Sequence, residues 1–216
     1  MSNYLAVATV TATLRNKLAQ ALSLQDDIQG AVVRVGRPAQ SIEQTRPTVN
    51  LYLFQVTRNA AFRDADLPTR TGDGTLTRRP QVALNLNYML TFYGDESSYE
   101  PERLLGKTVS YVHARPVLTR QEIDAVVSQN QRVLGDSDLA NQIEQVKFTP
   151  IYMDLDEIHR AWSVFFQLPY TLSVFYQASV VLITADDQPS QVCTVTDPRV
   201  TVQPNMANSD DSRRMN

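Results

Sequence analysis

Trp162–Ile183, WSVFFQLPYTLSVFYQASVVLI, runs for 22 residues without a charged side chain, long enough to cross a bilayer as a helix. Its composition and period argue for something else. Seven of the 22 are Ser, Thr, Gln or Pro, and Pro169 removes a backbone donor near the middle. From Tyr170 onward the side chains separate by two: Tyr170, Leu172, Val174, Tyr176, Ala178, Val180 and Leu182 on one face, Thr171, Ser173, Phe175, Gln177 and Ser179 on the other. That alternation is a strand. Upstream, Asp154 and Glu157 have capping-box spacing, and Leu155, Ile158, Trp162 and Phe165 recur at helical spacing. The stretch therefore reads as the end of a helix, a proline break and one long strand. Trp162, Pro169, Tyr170 and Tyr176 are the expected structural core where helix and sheet meet.

Working outward, the 216 residues are 43% hydrophobic and 20% charged, the balance of a globular chain able to bury a sizeable core. The single cysteine, Cys193, excludes an internal disulfide, and the N-terminus lacks the basic-then-apolar layout of a secretion signal, so a reducing compartment is expected. A net charge of −3 provides no general attraction for nucleic acid, and the aromatics fall inside strand patterns instead of alternating with Lys and Arg. Nucleic acid is not an expected partner.

The rest of the chain alternates element types. Tyr4–Leu24 carries Val7, Val10, Leu14, Leu18 and Ala21 at spacings of three and four, an amphipathic helix. Ala31–Gly36 is a short strand. Pro47–Arg58 is a longer one, apolar on both faces and so expected to be covered on both. In Gln81–Tyr93 the apolar Val82, Leu84, Leu86, Tyr88, Leu90 and Phe92 oppose Ala83, Asn85, Asn87 and Thr91, which predicts one wet face. Helices are predicted over Pro101–Val117 and Thr119–Leu134, the second opened by a capping box at Thr119 and Glu122. A strand is predicted near Gln145–Met153 and a last β segment over Val192–Val202, broken at Asp197-Pro198. The polar tail is expected to be disordered. The expected fold class is α+β: a single domain over residues 1–203, a mixed β-sheet with helices packed on it, and a disordered tail over residues 204–216.

Asn59–Pro80 is far longer than an ordinary hairpin loop. It holds Arg63, Arg70, Arg78 and Arg79 against Asp64, Asp66 and Asp73, with Gly72 and Gly74 at its apex. It reads either as a solvated loop or as an arm that orders against another chain, in which case the four arginines are candidate inter-subunit residues.

No catalytic, metal-binding or cofactor-binding set emerges. Leu105-Gly106-Lys107-Thr108 resembles the end of a phosphate loop, but Pro101 stands where that motif needs glycine, and the surroundings are helical. Asp154, Asp156 and Glu157, with His159 nearby, are accounted for by a helix N-terminus, which favours carboxylates. His113 reads as a packing residue, and Cys193 has no close cation to activate its thiol.

Several phrases, in order along the chain, carry a resemblance to a known family. They are Trp162, Ser163, Gln167, Pro169, Tyr170, Leu172, Ser173 and Tyr176 around the break; Leu104-Leu105-Gly106, His113 and Pro116-Val117-Leu118; Val49 to Asn59 in the early strand; and Leu84 to Gly94 in the next. This ordered set resembles the N-terminal domain of the cap, or tail-terminator, proteins of bacterial contractile injection systems. Asn87, where the family has His, Tyr111-Val112 and the apolar Phe165-Phe166 pair are modest departures. The resemblance implies a tail-terminator-like fold and a structural, non-enzymatic subunit without cofactor. It implies a homohexameric ring that ends inner-tube and sheath polymerisation, with tube protein, sheath protein and itself as partners. Assembly would take place in the bacterial cytoplasm, without insertion into a membrane. An adaptor anchoring such a particle to a membrane or envelope is the alternative, and a small-molecule enzyme a remote third.

Overall fold

The computed structural model describes residues 2–23, 28–38, 46–62, 76, 79–165 and 168–185. Helix α1 (Ala6–Ser23) is followed by strands β1 (Val32–Val35), β2 (Thr48–Arg58) and β3 (Gln81–Tyr93). Helices α2 (Glu100–Ala114), α3 (Arg120–Gln129) and the single turn α4 (Gln131–Leu134) come next, then β4 (Lys147–Ile151), α5 (Leu155–Ser163) and β5 (Ser173–Thr184). The five strands form one mixed sheet in the order β1-β2-β3-β5-β4, with only β1 and β2 parallel. This is the α+β sheet-and-helix domain expected. The polar tail and the Val192–Val202 segment lie outside the described residues, as do Arg63, Arg70 and Arg78 of the long loop.

One face of the sheet is closed by α1, α2 and α3. Val10, Leu14 and Leu18 of α1 join Val49, Leu51, Leu86, Tyr88, Leu90, Phe92, Leu104, Ile123 and Ala178 in the main core. Burying such side chains contributes roughly 1.5–3 kcal/mol each, which is what holds the helices to the sheet. In this layer the Tyr88 phenol meets the Thr11 hydroxyl at 2.8 Å, and the burial that surrounds it pushes its pKa up. Lys17 continues the apolar stripe of α1 yet is 2% exposed. Its ammonium donates to the Glu122 carboxylate and to the Val117 carbonyl, each at 2.9 Å. Both predicted capping boxes form, at Thr119 with Glu122 and at Asp154 with Glu157.

The opposite face differs from expectation. Asn87 and Thr91, assigned to a wet side of β3, are 7% and 0% exposed, beside a fully buried Met89. α5 covers this face: Ile158, Ala161, Trp162 and Phe165 pack with Phe54, Met89, Ile151 and Phe175 in a second core. Three amides cross the strands beside it, with Asn87 donating to Gln55 at 2.9 Å and accepting from Gln177 at 3.1 Å. A central strand covered on both faces can carry amides that satisfy one another, while the buried Thr91 hydroxyl has no hydrogen-bond partner among the described residues; period alone reveals neither.

Two bulges shift the alternation. In β2, Leu53 pairs with Tyr88 and Gln55 with Asn87, so Phe54 is inserted and Val56 moves to the Leu86 side. In β5, Ala178 pairs with Leu86 and Val181 with Leu84, leaving Ser179 and Val180 opposite Asn85. The buried residue is then Val181, at 0% exposure, and the predicted face ending in Val180 and Leu182 slips by one position. The bulge is filled by Gln142, whose Nε2 donates to the Val180 carbonyl and whose Oε1 accepts from the Leu182 N–H, at 2.7 and 3.0 Å.

The sheet edges are managed differently. Beside β4, Phe148 N–H donates to Pro116 O at 2.7 Å and Leu118 N–H to Val146 O at 2.9 Å. The next outward donor position on β4 is Pro150, which has no N–H. That edge is closed. Beyond β1 no further strand pairs among the described residues.

Candidate functional site

Strand pairing brings one set of loops to a single rim of the sheet. Tyr93 at the end of β3 faces Thr48 at the start of β2, Thr91 faces Ser173 at the start of β5, and Ile151 at the end of β4 faces Phe175. Three tyrosines are carried outward there: Tyr99 at 68% exposure, Tyr152 at 92% and Tyr170 at 61%. Tyrosine combines a large, stiff contact area with a polar tip, and exposed clusters of it suit protein contacts.

Tyr99 is held rigidly. It adopts the left-handed conformation, φ 56°, between a short 3-10 turn at Glu96–Ser98 and α2, a conformation that costs a non-glycine residue about 1 kcal/mol. Its surroundings over-determine it. Ser97 N–H and hydroxyl donate to the Asp95 carboxylate, Tyr99 N–H donates to the Glu96 carbonyl, Glu100 N–H to the Asp95 carbonyl, and Asp95 N–H to the Glu100 carboxylate. The Ser97 hydroxyl, then the Ser97 N–H and Ser98, hold the Asp95 carboxyl below its ordinary pKa. A side chain on Gly94 would collide with Glu100 at 2.7 Å, which explains the glycine at the start of the turn.

The sequence-assigned core residues divide. Trp162 and Tyr176 are each 6% exposed. Pro169 and Tyr170 are exposed, which corrects their assignment to the core: the Tyr170 ring stands edge-on to Trp162 at 5.5 Å and shields it from outside. Leu155, placed on the packing stripe of α5, is 80% exposed instead. His113, read as a packing residue, is exposed on α2, as is His159 on α5. Arg79 is exposed at the end of the long loop. Leu105-Gly106-Lys107-Thr108 lies inside α2, where backbone N–H groups are taken by the helix and cannot cradle a phosphate. Tyr152, Tyr99 and the bulge-filling Gln142 carry no local sequence signal.

Among the described residues no three His, Cys, Asp or Glu side chains are grouped to hold a metal ion. A depression of about 340 Å³ at the opposite end of β3 is lined, among the described residues, by Arg58, Asn59, Ala60, Phe62, Gln81, Val82 and Ala83, which include no acid–base pair. No described helix is long and apolar enough to cross a membrane.

The chain is an α+β domain whose sheet is covered on both faces, by α1 and α2 on one and by α5 on the other, with three exposed tyrosines on one rim. Residues 9–197 match the Pvc16 N-terminal domain, and the chain belongs to that family. The resemblance to the N-terminal domain of contractile-injection-system terminators thus stands over most of the chain. A sheath/tube terminator of PVC, an extracellular contractile injection system, solved in its extended state, shares the fold with a TM-score of 0.51 at 14% identity. The similarity covers 93% of this chain and 65% of that one. The tube-terminating cap of the anti-feeding prophage is similar at a TM-score of 0.50 and 15% identity, over 89% of this chain and 60% of the cap. The chain therefore spans just under two-thirds of each of these proteins. No curated protein matches it.

Proposed function

We propose that the protein is a structural cap of a contractile injection system, a ring that ends polymerisation of the inner tube and sheath. The family match over residues 9–197 carries this reading, and the shared fold of a sheath/tube terminator and a tube-terminating cap supports it. The physical task is occupancy and not turnover. The end of a tube exposes the surface that seeds the next ring, so a terminator matches the symmetry of the tube on one side and offers no continuing surface on the other. Six copies, matching a six-fold tube, with tube and sheath proteins as neighbours and assembly in the cytoplasm, complete the proposal.

The test is genetic and visual. Deleting the gene is expected to give tubes or sheaths of uncontrolled length, or particles that fail to mature, and returning the protein is expected to restore a defined end in electron micrographs. Normal length and a normal capped end in the deletion strain would reject the cap and favour the anchoring adaptor, which flotation with membranes would then reveal.

A further inference from the structure

We propose that neighbouring copies in the ring meet edge to edge, with Tyr152, Leu155 and Asp156 at the β4 corner of one copy seated on Arg34, Val35 and Arg37 at the β1 edge of the next. The proposal rests on the ring reading above and names its contact.

Four observations carry it. The two patches lie at opposite edges of the five-stranded sheet, about 19 Å apart across four strand spacings, and a head-to-tail contact that closes by rotation needs two different patches on separate sides of the subunit. Both patches carry apolar side chains without cover: Tyr152 is 92% exposed, Leu155 80% and Val35 51%. Their charges are complementary, since Asp154, Asp156 and Glu157 are exposed at the first patch and Arg34 and Arg37 at the second. Asp154 and Glu157 are engaged with each other's backbone N–H in the capping box, whereas the carboxylate of Asp156 and the guanidiniums of Arg34 and Arg37 have no partner among the described residues. The basic side chains on the same helix are His159 and Arg160, and Arg160 donates to the Asp156 backbone carbonyl at 3.4 Å, leaving the carboxylate itself open. Finally, the closed β4 edge cannot pair by its backbone, so a contact between opposite edges is made by side chains.

The experiment measures the mass of the full-length protein in solution, alone and with tube protein, for the wild type, Arg34→Glu, Asp156→Arg and an equimolar mixture of the two variants. These residues are exposed, and unchanged thermal midpoints will show that the variants fold. Each single variant is expected to weaken assembly about 10-fold or more, through loss of one charge pair and repulsion at the same place. In the mixture, rings alternating the two variants contain only native and charge-swapped contacts, so assembly returns at a one-to-one ratio. Variants that assemble like the wild type, or a mixture that stays dissociated, overturn the contact. A wild-type protein that remains a monomer both alone and with tube protein overturns the ring itself.

Discussion

The indole of Trp162 touches Phe165 and Tyr170 edge-on, with centroids at 5.8 and 5.5 Å, and its N–H donates to the Ser173 hydroxyl at 3.3 Å. Truncating a buried Trp costs about 3–5 kcal/mol, a large share of the roughly 5–15 kcal/mol that stabilises an ordinary domain. Trp162→Ala is therefore expected to lower the thermal midpoint steeply, as followed by circular dichroism; an unchanged midpoint with lost assembly would move the residue from core to interface. Its burial was legible because it lies on a helical stripe beside a strand, whereas the exposure of Tyr170 depends on what lies past the helix end. Lys17 was not legible at all, since its counter-ion is 105 positions away. At that pair, burial pushes the Glu122 carboxyl up, but hydrogen bonds from the Thr119 N–H, Lys17 and the Thr119 hydroxyl, with the Lys17 charge, outweigh it and hold the pKa below the ordinary value. A depressed folded-state pKa stabilises fully above the unfolded value and is lost as pH falls through the folded one. Acid unfolding should accordingly gain from Glu122 below about pH 4.3, and Glu122→Gln should flatten that part of the profile. The same variant should lower stability near neutrality by about 2–3 kcal/mol, less than for a fully buried pair because the Glu122 side chain is 24% exposed. An acid limb identical to wild type would exclude the linkage.

At the scale of elements, helices and strands were readable because each has one dominant period and several carry explicit start signals: both capping boxes formed where their spacing placed them. What escaped was phase. A bulge adds a residue without changing composition, so Val180 and Leu182 look as well placed for the core as Val181. The bulge in β5 is stabilised from afar by Gln142, which also donates to the Glu144 carbonyl at 2.6 Å, while the Ser2 hydroxyl bonds the Leu182 carbonyl. Gln142→Leu would leave the Val180 carbonyl and the Leu182 N–H without their partner, at about 1–3 kcal/mol each. The expected result is a lower midpoint together with faster amide exchange at Leu182; slow exchange there in the variant would show that the bulge holds without its plug. The amide row of Gln55, Asn87 and Gln177 was hidden for a related reason, because polarity in a strand reads as exposure until both neighbours are known.

For the whole molecule, the α+β class followed from alternating elements, and the family phrases spread along the chain made the terminator-like fold legible in the sequence itself. The rim was not legible. Tyr99, Tyr152 and Tyr170 are separated by long stretches of sequence and come to one side only through the pairing of β2, β3, β5 and β4, while the arginines of the long loop, which were conspicuous in sequence, include three that lie outside the described residues. Assembly surfaces are made by topology, and a single sequence contains topology only implicitly. The unequal edges of the sheet have a further consequence for a protein whose relatives work at the ends of polymers. Because Pro150 and the Pro116–Leu118 strap seal β4, β1 is, among the described residues, the sheet edge left open to backbone pairing between copies, and two copies joined there would use it up. Strand-by-strand addition of copies through the described edges of this sheet would thus end at a pair.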